Sequence, residues 1–131
     1  LIERTIDSAL KREFESSLPR FDLLAQLERA PKGLRMGELS ERILTTGGNV
    51  TWLVRALEAD GLVTRRVSTS DKRAAVVRLT PTGRRRFATM ARAHERWIVA
   101  MFSSLTPAER RALHRLLGTL KEQFRPSRIS E

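Results

Sequence analysis

Apolar residues recur along this chain at two periods, and the switch between them marks out its parts. Leu1, Ile2, Ile6, Leu10 and Phe14 stand at helical spacing, so a helix is expected over about 1–18; Pro19 then marks the break before a second helix over 20–29. Ala30-Pro31-Lys32-Gly33 reads as a turn, 34–36 as a short strand, and 37–44 as a helix with Leu39, Ile43 and Leu44 facing inward. After the break at Thr45-Thr46-Gly47-Gly48, Val50, Leu53, Val54 and Leu57 follow a 0, 3, 4, 7 pattern that ends at Asp60-Gly61, where glycine suits a left-handed cap. The period then falls to two. Strands over 62–67 and 74–79, rich in β-branched residues, flank the polar loop 68–73 and read as a hairpin.

Helical punctuation returns at Thr80-Pro81, with threonine as cap and proline in the first turn, and the helix is expected to reach about 104. Thr106-Pro107-Ala108-Glu109 repeats the signal as a capping box, opening a last helix to about 124 and leaving 125–131 as a frayed tail. Phe87, Met90, His94, Trp97, Ile98, Met101 and Leu105 line one side of the long helix. Leu113, Leu116, Leu117, Leu120 and Phe124 line one side of the last. Both stripes can pack within one chain, but the last helix has only the long helix as an obvious local partner.

Composition narrows the class. A chain of 131 residues, 40% hydrophobic, amounts to one domain's worth with a modest core, and oligomerisation fits its surplus of apolar helix faces. Its 25 Lys and Arg against 15 Asp and Glu leave a net charge of +10, which favours a polyanionic partner and salt-dependent binding. The charge is uneven: residues 55–96 hold 11 basic and four acidic side chains, so +7 of the +10 lies there. With no cysteine there is neither a disulfide framework nor a thiol switch, and the cytoplasm is the expected compartment. Neither a membrane-length apolar run nor a signal peptide is recognisable. Because Leu1 falls inside an apparent helix, further residues are expected before it.

Two apolar-periodic segments split by a glycine break have helix-turn-helix spacing, and the basic hairpin after them is how a winged helix grips DNA. Together, MGELSERILTTGGNVTWLVRALEADGLVTRR and SDKRAAVVRLTPTGR resemble the MarR (multiple antibiotic resistance regulator) family of dimeric winged-helix transcription regulators. The signals are L-E-x-D-G-L-V-x-R at the end of the second helix of the motif, D-K-R at the wing tip, and V-x-L-T-x-x-G into the next helix. The expected fold is mainly α with a small β-wing: a winged helix-turn-helix over 20–80, a long connecting helix over 81–104, and N- and C-terminal dimerisation helices over 1–18 and 107–124, all in one MarR-like domain over 1–131. The resemblance implies that first and last helices interlock with those of a second copy. A two-fold dimer would set two recognition helices about 34 Å apart and require an inverted-repeat operator.

Geometry selects Thr46, Asn49, Thr51, Trp52 and Arg55 as the side chains able to reach base edges. Asn49 suits adenine and Arg55 guanine. Asn49 or Thr46 can instead cap the helix, for Thr46 as readily as it contacts a base, and Trp52 fits either DNA contact or packing on a neighbouring helix or the wing. Gly47 and Gly48 are explained by the tight turn. At the loop tip, Lys72 and Arg73 are the clearest candidates for phosphate and minor-groove contacts. The resemblance gives the minor-groove role to Arg73 and makes Asp71 a structural partner that orients wing arginines such as Arg65. Arg84, Arg85 and Arg86 oppose the dipole of their own helix, which calls for a compensating anion, DNA backbone or an acidic side chain.

Enzymatic signals are missing: there is no G-x-S-x-G, phosphate-binding glycine loop or acid cluster beside a histidine, and His94 and His114 lack metal-ligand spacing. No cofactor is expected. The resemblance implies instead a small, aromatic or anionic effector in a cleft bordered by the first, second and long helices, where Phe14, Arg20, Phe21, His94 and Trp97 would supply aromatic walls and a cation; taken singly, each also fits ordinary packing. The expected role is a homodimeric repressor that binds double-stranded DNA, is released by that effector, and has no membrane partner. The alternative is a basic winged-helix module that binds RNA or a protein without reading DNA sequence.

Overall fold

A computed structural model describes residues 1–43, 49–67 and 75–123. The elements run α1 (Ile2–Phe14), α2 (Leu18–Glu28), β1 (Leu34–Arg35), α3 (Met36–Arg42), α4 (Val50–Ala59), β2 (Val63–Arg66), β3 (Val76–Leu79), α5 (Pro81–Met101) and α6 (Pro107–Gln123). The chain divides into two compact units, 1–94 and 95–131.

In the first unit, α1 stops well short of residue 18. Glu15 enters the left-handed region at φ 51°, uncommon for a side chain other than glycine, and the Ser16 N–H folds back to the Leu10 carbonyl at 3.2 Å. Two residues on, Ser17 caps α2 by accepting from the Arg20 N–H at 3.3 Å. Pro19 therefore sits inside the first turn of α2, where its missing N–H costs nothing, and α2 starts earlier than the expected 20. A second clamp comes from α1 itself: Asp7 Oδ1 accepts from the Leu18 N–H at 2.9 Å while Oδ2 pairs with Lys11 at 2.9 Å. The Leu18 N–H first, then Lys11, holds the Asp7 carboxyl below its ordinary value, against an opposing push from burial.

The expected hairpin is present as β2 and β3, and β1 adds a third strand, giving the order β1-β3-β2 with both pairs antiparallel. Val77 on the central strand faces Leu34 on one side and Arg65 on the other. Leu10, Leu23, Leu24, Leu27, Leu39, Val54, Leu57, Val63, Val77 and Met90 are almost wholly buried, so the helices close over one face of this sheet. Burial of each such side chain stabilises the fold by roughly 1.5–3 kcal/mol.

The turn before β1 is held by Arg78, whose Nε donates to the Lys32 carbonyl at 2.8 Å. Gly33 there has φ 90°, and a Cβ would strike Val76 and the Val77 carbonyl. Helix α3 is shorter than the expected 37–44, ending at Arg42; its Glu38 carboxylate accepts from the Arg35 N–H at 3.1 Å.

The second unit contains the end of α5 followed by α6. The capping box forms as its residues suggest: the Thr106 N–H donates to Glu109 Oε1 at 2.9 Å and the Glu109 N–H to Thr106 Oγ1 at 3.2 Å. Those bonds, the Thr106 N–H first, lower the Glu109 carboxyl below its ordinary value. Helix α5 ends at Met101, short of 104, and leads into the turn 102–105. Ile98, Phe102, Leu113 and Leu117 line a cleft of about 300 Å³ between the two segments, while Leu116, Leu117 and Leu120 stay exposed.

Candidate nucleic-acid interface

Helix α4 is split cleanly between a packing face and an open one. Leu53, Val54 and Leu57 are buried, whereas Asn49, Thr51, Trp52, Arg55 and Glu58 are exposed. The helix begins at Asn49, whose Oδ1 accepts from the Thr51 N–H at 3.0 Å. Of the two roles open to Asn49, capping is the one the geometry uses. A bidentate contact to adenine would draw on the same oxygen, through its second lone pair.

Arg55 projects from the middle of the open face and forms no ion pair among the described residues. Trp52 is 59% exposed and leans toward α2, where the Arg20 guanidinium lies 5.9 Å from its ring centroid. That distance is worth about 0.5–1 kcal/mol at an exposed site. The same guanidinium reaches Asp60, at the end of α4, at 3.7 Å. Beside them Glu15, Ser16, Ser17, Arg20, Trp52 and Leu53 line a cleft of about 380 Å³.

The far end of α4 is tied to the start of α5. Gly61 takes φ 73°, and the Leu62 N–H closes onto the Leu57 carbonyl at 2.9 Å, which makes the expected left-handed cap. Strand β2 then carries Arg65 and Arg66, both exposed, toward residues 68–74. Thr46, Asp71, Lys72 and Arg73 lie outside the described residues, as do Gly47, Gly48 and the tail from 124.

Of the three arginines at the start of α5, Arg86 meets a carbonyl: its Nη2 donates to the Phe14 carbonyl at 2.7 Å and its guanidinium lies 5.2 Å from the Phe14 ring. The negative end of α1 therefore compensates it. Arg84 and Arg85 remain exposed.

Of the five residues expected around an effector, Phe21 and His94 lie side by side. Phe21 is buried, stacks on Phe87 with ring centroids 5.5 Å apart and lies tilted against His94 at 5.0 Å. This burial lowers the His94 pKa from its ordinary value, since an apolar surrounding disfavours the imidazolium. Phe14 is engaged with Arg86, Trp97 belongs to the second unit, and Arg20 lines the cleft beside Trp52. Sequence reading missed Asp60 as a partner of Arg20. Trp52, Ala56 and Asp60 recur every four residues on one side of α4, but that spacing names no partner on α2.

A model of the MarR family matches residues 17–74. Over 95% of this chain and 85% of the other, the chain superposes with a TM-score of 0.77 and 31% identity on the crystal structure of a MarR family transcriptional regulator from Silicibacter pomeroyi. The chain belongs to the MarR family. Two regulators of Bacillus subtilis (strain 168) agree. The uncharacterised HTH-type transcriptional regulator YdgJ is 30% identical over 108 residues, 82% of this chain and 65% of its own length. The HTH-type transcriptional repressor YetL is 33% identical over 87 residues, 66% of this chain and 52% of its own length. This MarR-family chain thus spans between half and two thirds of the curated relatives it matches. Its fold is the winged helix-turn-helix, with α3 and α4 as the helix pair and β2 and β3 as the wing strands. Among the described residues, no helix is long and apolar enough to cross a membrane.

Proposed function

We propose that this MarR-family protein is a homodimeric repressor that reads an inverted-repeat operator and is released from it by a small aromatic or anionic effector. One observation carries the DNA reading: α4 packs through Leu53, Val54 and Leu57 and leaves Thr51, Trp52 and Arg55 open, ahead of a basic strand pair. A helix anchored on one face and polar on the other can enter the major groove. Arg55, which has no ion pair to give up among the described residues, is the residue assigned to guanine. Lys72 and Arg73 are assigned to phosphate and minor groove, with Asp71 and Arg65 ordering the wing, and Thr46 to the approach of α4 to DNA.

The repressor assignment is supported by the resemblance to YetL, itself a repressor. The dimer is supported by the apolar residues that α6 leaves exposed, Leu116, Leu117 and Leu120. The effector site draws support from the cleft at Arg20, whose volume of about 380 Å³ suits a small molecule. A ligand there would act by favouring a spacing of the two α4 helices unsuited to the operator.

Selection from a random duplex pool at near-physiological salt tests this reading. An inverted repeat with half-sites about 10 base pairs apart is the expected product. Recovery of no motif, with binding that collapses as salt rises, would favour the module that binds RNA or a protein partner.

A further inference from the structure

Arg20 lies on α2, outside the helix pair, yet it touches the reading helix at two places. Its guanidinium stands 5.9 Å from the Trp52 ring and 3.7 Å from the Asp60 carboxylate. Trp52 and Asp60 sit two turns apart on one side of α4, with only the small Ala56 between them on that side. The base of Arg20 is itself fixed, because its backbone N–H is held by the Ser17 hydroxyl and its side chain is only 25% exposed. We infer that Arg20 is a positioning residue for DNA reading: a brace that holds the Trp52 indole in one orientation on the open face of α4. The inference rests on the DNA-reading role proposed above.

The physical argument concerns what each partner would do alone. An exposed tryptophan on a first helical turn samples several rotamers, and freezing it on contact with DNA would cost conformational entropy. A guanidinium already stacked against the ring removes part of that cost before binding. An unpaired arginine beside the reading face would also attract phosphate on any sequence. Asp60 offsets that charge, so the brace serves discrimination between sequences more than general affinity for DNA.

The test uses the full chain, the operator recovered by selection, and a random duplex of equal length. Arg20→Gln is expected to weaken operator binding by about two- to fivefold, the fold-change that matches the stacking of the guanidinium on the ring, and to change binding to random duplex by less than about twofold. Equal loss on both duplexes, together with a salt slope reduced by about one, would make Arg20 a phosphate contact and overturn the brace. No loss on either duplex would overturn it too.

A double-mutant cycle separates the brace from a general folding defect. Trp52 is exposed, so Trp52→Ala leaves the core intact, and in that background Arg20→Gln should produce no further loss of discrimination. Losses that simply multiply would mean the two residues act independently. If the pool yields no operator, the DNA-reading proposal fails and the brace falls with it; if an operator is found and the cycle shows no coupling, only the brace fails.

Discussion

Thr80 Oγ1 donates to the Gly61 carbonyl at 2.6 Å, and the same oxygen accepts from the Gly83 N–H at 2.9 Å. The Thr80 N–H adds a bond to the Leu62 carbonyl at 3.0 Å. One hydroxyl thus caps α5 and pins the turn that ends α4. Gly83 is buried against Leu62, and a Cβ there would collide with the Leu62 carbonyl oxygen. D-G-L and L-T-x-x-G, widely separated in the chain, are two halves of one clasp that fixes α4 relative to α5.

Gly83→Ala should therefore destabilise the fold by at least about 1–3 kcal/mol, because backbone must move to admit the methyl group. Thr80→Val, nearly equal in size, should cost about 1–2 kcal/mol through loss of the cap and of the bond to Gly61. Urea denaturation of both variants checks this. A Gly83→Ala variant as stable as the parent would show that the approach to Leu62 relaxes freely.

Replacement of Arg55 by alanine should relax preference at one base pair in each half-site, by about 1–3 kcal/mol, while the protein stays folded. Binding to a panel of operators substituted at single positions measures it. Uniform weakening across the panel would place Arg55 on phosphate.

For His94, burial lowers the folded-state pKa, so the unfolded chain takes up a proton first as pH falls. Its contribution to stability is present in full above the ordinary value of 6.5 and is lost as pH drops through the lowered one. Denaturation midpoints should fall with acidification through that window, and His94→Phe, which keeps a ring beside Phe21, should flatten the slope. An unchanged slope in the variant would assign the acid sensitivity elsewhere.

Asp7→Asn should weaken the corner between α1 and α2 by about 1 kcal/mol, since the charge is lost from a cap that serves the Leu18 N–H. The folded-state pKa of Asp7 is lowered, so its contribution persists above the ordinary 3.8 and disappears as pH falls through the depressed value. Parent and variant stabilities, compared by urea denaturation, should converge in acid. A difference that is independent of pH would argue against an ionised Asp7 as the source.

Much of this protein was legible as pattern, because helix periodicity, caps and strand alternation are local properties. Leu53, Val54 and Leu57 identified the packing face of α4 by spacing alone, and buried residues are what the structure has there. Thr106 and Glu109 announced their capping box within four residues. The same local logic misplaces the end of α1, because the break is made by Glu15 in a left-handed conformation that composition does not signal, and Pro19 lies after that break, inside the first turn of α2.

By itself, then, the sequence determined the order of the elements, the family they resemble and the open face of α4. Tertiary structure alone decided which distant groups meet: Arg86 with the Phe14 carbonyl, Arg20 with both Trp52 and Asp60, and Phe21 with His94. The physical reason is range. Periodicity reports which side of an element faces inward, whereas the partner of a charge or a ring depends on how separate elements dock, and no spacing within one helix encodes that.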